Sequence, residues 1–188
     1  MRKIFSLILT VICVFMAGSV LAAPQVFIPQ YGFKEDGSLK NPLVVNFDSD
    51  TTKEMTVTLS PNGGDTRTLV IACSIDDKVF TKTFNKGYNY ALYKVSLRTP
   101  DKQELLVLSQ GKRGTGKTAL KDITIIGIDE DKVFGELPIE GFQEVNILNS
   151  PLQVRSNRTA VLFRDKVRAM LTIDWNETTK KFDILGAN

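Results

Sequence analysis

The chain has 188 residues, with 24 Lys and Arg against 21 Asp and Glu, no histidine and two cysteines. Without imidazole there is no Ser-His-Asp or Cys-His nucleophilic catalysis, and two thiols alone cannot build a tetrahedral zinc site. A net charge of +3 gives no global electrostatic case for nucleic acid.

The opening stretch, MRKIFSLILTVICVFMAGSVLAAP, has a basic start at Arg2 and Lys3, an apolar run from Ile4 to Met16, and small residues up to Ala22. That order predicts a signal peptide over residues 1–22, cleaved near Ala22, and hence a secreted or periplasmic protein. The apolar run is too short for a spanning helix, so no transmembrane span is expected after cleavage. Cleavage takes 22 of the 188 residues and leaves 166, enough for one domain with a proper core. Losing Arg2 and Lys3 lowers the basic count from 24 to 22 against 21 acids, so the net charge falls to about +1. Cys13 departs with the leader, which leaves Cys73 and no intramolecular disulfide. Cys73 shares strand parity with Leu69 and Ile71 and reads as a buried apolar residue.

Residues 23–41 are rich in Pro, Gly and polar side chains and read as an extended N-terminal arm. From 42 to 188 a single β-rich domain is expected. Period-two runs suggest strands at PLVVNF (42–47), EMTVTLS (54–60), RTLVIACS (67–74), DKVFTKTF (77–84), ALYKVSL (91–97), ELLVLS (104–109), DITIIGI (122–128), FQEVNIL (142–148) and KKFDIL (180–185). Short polar turns separate them. Residues 159–175 fit a hairpin turning at Asp165-Lys166, with a short helix as the competitor. The whole reads as an all-β fold, an antiparallel β-sandwich or meander of about a dozen short strands, with partial propeller-like β repeats as the alternative. IDDKVF at 75–80, IDEDKVF at 128–134 and IDWNETTKKF at 173–182 form a faint internal repeat, its phenylalanines Phe80, Phe134 and Phe182 spaced by about 50 residues.

Two motif matches fall in SQGKRGTGKTAL (109–120). Gly111, Gly116, Lys117 and Thr118 satisfy a phosphate-binding loop, but that chemistry needs a helix starting at the Lys-Thr. Here a β-branched run follows instead, so no nucleotide is expected. Ser109 and Lys112 spell the S-x-x-K of penicillin-recognising enzymes, which places both residues on one helical turn. A strand end and a glycine stand there instead. Acidic pairs such as Asp48 and Asp50, or Asp76 and Asp77, read as solvated turn residues, so no metal site and no cofactor are expected.

Basic residues gather at Lys112, Arg113, Lys117 and Lys121 and again between Arg155 and Arg168. If the fold joins them, Lys112, Arg113, Lys117, Arg155 and Arg158 form an anion-contact patch. The functional expectation is an exported, non-catalytic binding domain for a protein or anionic glycan of the bacterial envelope or extracellular space. A small glycan-cleaving hydrolase using carboxylates alone, without histidine or metal, is the second reading. A purely structural envelope module is the third.

Overall fold

The structure, a computed structural model, describes residues 26–47, 53–61, 67–75, 78–87, 89–112, 118–129, 134–143, 145, 151–164 and 166–186. The expected leader, Asp48 and Asp50, Asp76 and Asp77, and the loop residues 113–117 lie outside them. The fold is all-β, with no helix among the described residues and none long and apolar enough to cross a membrane. Among the described residues, thirteen strands form three sheets. The first holds β1 (Leu43–Val45), β2 (Lys53–Pro61), β3 (Arg67–Ile75) and β4 (Lys78–Gly87) in sequential order. The second holds β5 (Asn89–Val95), β6 (Glu104–Lys112), β7 (Thr118–Ile128) and β8 (Phe134–Leu137), again in order. The third joins β10 (Leu152–Val154), β11 (Ala160–Arg164), β12 (Arg168–Asn176) and β13 (Lys181–Gly186), with β9 (Ile139–Glu140) added on its far edge. Every pairing is antiparallel except that of β9 with β13.

The sheets stack as three layers. Ala91, Tyr93, Leu106, Leu108 and Ile125 of the second sheet pack on Leu162, Leu171, Ile173 and Phe182 of the third. The alternate residues Leu92, Leu105, Val107 and Ile126 pack on Leu43, Val57, Leu69 and Ile71 of the first. The second sheet is thus buried on both faces. This explains why Leu105 to Leu108 and Ile125–Ile126 are unbroken apolar runs, whereas on β12 the buried Leu171 and Ile173 alternate with the more open Thr172 and the exposed Asp174. A register shift between Ser109 and Gln110 skips Lys121, so Leu120 changes parity and joins Ile123 and Ile125 on one face.

Residues 26–41 lace the three layers together along one side. Ile28 N donates to Leu152 O of β10 at 2.7 Å, and Tyr31 N donates to Leu92 O of β5 at 3.1 Å. Phe33 then pairs with Leu39 in a small hairpin whose turn places Gly37 at φ 85°, and Ser38 bridges to Thr58 of β2. Hydrogen bonds from the Ser38 hydroxyl and amide hold the Asp36 carboxyl below its usual range. On the opposite side β4 crosses the second sheet. Lys82 pairs with Glu136 of β8, while the Tyr90 hydroxyl of β5 donates to Phe84 O at 2.9 Å.

The hairpin over 159–175 is present, turning through Lys166 at φ 62°. The three copies of the acidic repeat occupy equivalent places, each at the turn between the third and fourth strands of a meander: β3–β4, β7–β8 and β12–β13. Of the strand expected at 142–148, residues 144 and 146–148 lie outside the described residues; Val145 is described and pairs with Leu120, exchanging hydrogen bonds with it. The short β8, β9 and β10 carry too few alternations to register as a period-two run.

Candidate functional site

The deepest charge among the described residues is Glu104, at the start of β6 and fully buried. Its Oε2 accepts from Leu97 N at 2.9 Å and its Oε1 from Arg98 Nε at 2.8 Å. Arg98 also donates to Ile128 O at 2.6 Å, and its guanidinium lies 5.5 Å from the centroid of the Trp175 ring on β12. Trp175 in turn stacks on Phe182 at 4.9 Å. Gly127 leaves room for the pair, since a Cβ there would sit 3.3 Å from both the Arg98 guanidinium and Glu104 Cγ. Burial pushes the Glu104 carboxyl up despite its hydrogen bonds and the facing guanidinium. A carboxylate enclosed in this way joins the second sheet to the third. It has no route to a substrate.

The line of polar groups continues outward from Trp175. Lys180 Nζ donates to Glu177 Oε2 at 3.0 Å, and this bond, with a second from Trp175 and the nearby charge of Arg158, holds the exposed Glu177 carboxyl down. Asn176 shapes the turn, its Oδ1 accepting from Thr178 N and Thr179 N at 3.0 and 3.1 Å. Lys180 closes the turn at φ 56°.

On the outward face of the third sheet, Asp174 of β12 stands directly opposite Asp183 of β13. Cross-strand neighbours of this kind have Cβ atoms about 4.5–5.5 Å apart, and two like charges so placed oppose each other. Thr159 Oγ1 donates to Asp174 Oδ1 at 3.2 Å and Asn176 Nδ2 donates to Asp183 Oδ2 at 2.9 Å. This face offers two carboxylates, an amide and a hydroxyl at strand spacing. Sequence reading passed over the pair, although the hairpin register carries it: both aspartates stand two residues outside the Asn176–Lys181 pair that closes the turn.

Of the residues expected to form an anion-contact patch, the structure describes Lys112, Arg155 and Arg158. Arg155 and Arg158 flank the turn between β10 and β11, both exposed, with Arg158 at φ 66°. Lys112 is the last residue of β6. Arg113 and Lys117 lie outside the described residues.

β7 begins at Thr118 and runs antiparallel to β6, with Lys112 opposite Thr118. The segment after Gly-Lys-Thr is therefore a strand, where a phosphate loop would place a helix N-terminus. Ser109 and Lys112 lie on one strand, not on one helical turn; Ser109 is buried, and its Oγ has no hydrogen-bond partner among the described residues. Neither motif has the geometry its chemistry needs. Comparison with known proteins finds no matching family model, no matching curated protein and no matching solved structure.

Proposed function

We propose that the chain is an exported, non-catalytic binding domain of the bacterial envelope or extracellular space, and that it takes a hydroxyl-rich glycan on the outward face of β10–β13. The observation that supports this is the Asp174–Asp183 pair with Asn176 and Thr159 beside it. Adjacent carboxylates and an amide accept and donate to neighbouring sugar hydroxyls, and such bonds are stronger when one partner is ionised. A ligand bridging the two aspartates also offsets a repulsion that the free protein carries.

The test is binding of the mature chain to a panel of purified envelope polysaccharides by calorimetry. The unsubstituted chain should bind at least one glycan, and D174N/D183N should lose that binding at least tenfold while keeping its circular dichroism spectrum. Failure of every glycan, or unchanged binding by the double variant, overturns the reading.

The carboxylate hydrolase is the second reading. Cross-strand aspartates approach the separation of about 5–5.5 Å used by retaining glycosidases. It predicts release of reducing sugars from the same panel, abolished in either single Asp→Asn variant. Binding without product supports the first reading.

A further inference from the structure

We propose that the turn between β11 and β12 is a membrane-contact tip that seats on an anionic phospholipid surface. Val167 stands at its crest and is 85% exposed, and Val26 of the arm is 69% exposed. Phe27 ties the two segments together: its ring meets Phe163 edge-on at 5.7 Å, and Lys166 Nζ lies 6.0 Å from its centroid. Around the valine stand Arg164, Lys166 and Arg168, all exposed, against one acid in the turn, Asp165. Lys166 holds φ 62°, a conformation that glycine or asparagine adopts at lower cost, so a lysine is kept there against a local backbone preference.

The combination decides the partner's chemistry. A glycan or a solvated acidic peptide gives no return for an exposed valine, whereas an anionic bilayer takes the apolar crest into its headgroup boundary and the cations onto its phosphates. The tip is separate from the glycan face, with Arg168 and Asp174 about 20 Å apart along β12.

Sedimentation of the mature chain with phosphatidylglycerol–phosphatidylcholine vesicles, against phosphatidylcholine alone, tests this. The protein should pellet with the anionic vesicles only. V167D should lower partitioning at least tenfold, V167S should lower it less, and R164Q/K166Q/R168Q should lower it about fivefold per cation removed. All three positions are exposed, and circular dichroism checks that each variant folds. V167W should show a blue-shifted emission and quenching by brominated lipid. Trp175, about 26 Å along β12, should show neither in the unsubstituted protein. D174N/D183N should bind vesicles normally, so failure of the glycan reading and failure of this one are distinguishable. Equal partitioning to neutral vesicles, unchanged partitioning of V167D, or no quenching of V167W overturns the proposal.

Discussion

Glu104 and Arg98 show how a buried charge is kept in a chain without imidazole. The pair is enclosed between two sheets, and each member has a second hydrogen bond to the backbone. Removing one partner leaves the other charge buried alone, which costs about 3–5 kcal/mol in comparable cases, whereas replacing both by apolar residues is often neutral. Arg98→Met, which leaves the Glu104 carboxylate buried without its partner, is expected to lower the stability of the protein by roughly that amount in urea unfolding. R98M/E104L should lose much less. The pH dependence has a defined sign. Because burial raises the Glu104 carboxyl in the folded state, protonation favours folding, and this contribution is lost as pH rises through the folded value. Stability measured downward from neutral pH should contain a rising component that is absent from E104Q.

At the scale of elements, the arm and the sheet edges govern behaviour. Ile28 and Tyr31 cap β10 and β5, the first strands of their meanders, and so occupy edges that would otherwise offer free backbone groups. Deleting residues 26–40 should expose both edges, and light scattering should then report more self-association than the intact chain shows. Much of this layer was legible in the sequence. The alternation of β2 and β12, the unbroken runs of β6 and β7, and the Asp165-Lys166 turn each follow from side-chain period and turn chemistry. What was not legible depends on contacts between distant segments. Nothing near Arg98 foretells Trp175, because the two residues meet only when the second sheet packs on the third.

For the molecule as a whole, the middle layer carries the stability, since it alone buries both faces. Tyr93 lies in that layer, and burial pushes its phenol from 10.0 up to about 12. The sign is again determined. Stability is intact below pH 10, and ionisation of the buried phenol in the unfolded chain drains roughly 2–3 kcal/mol of it between pH 10 and about 12. Tyr93→Phe should move the alkaline unfolding midpoint upward, with Trp175 fluorescence as the readout.

The lacing by the arm also orders events in time. Ile28 is held by Leu152, so one of the earliest segments to leave the ribosome waits for one of the latest before it can be fastened. Closure across so long a stretch of sequence is slow. Until it happens, the two uncovered borders stay open to stray pairing, and the interval before that knot is tied is when this protein is most exposed to aggregation and proteolysis.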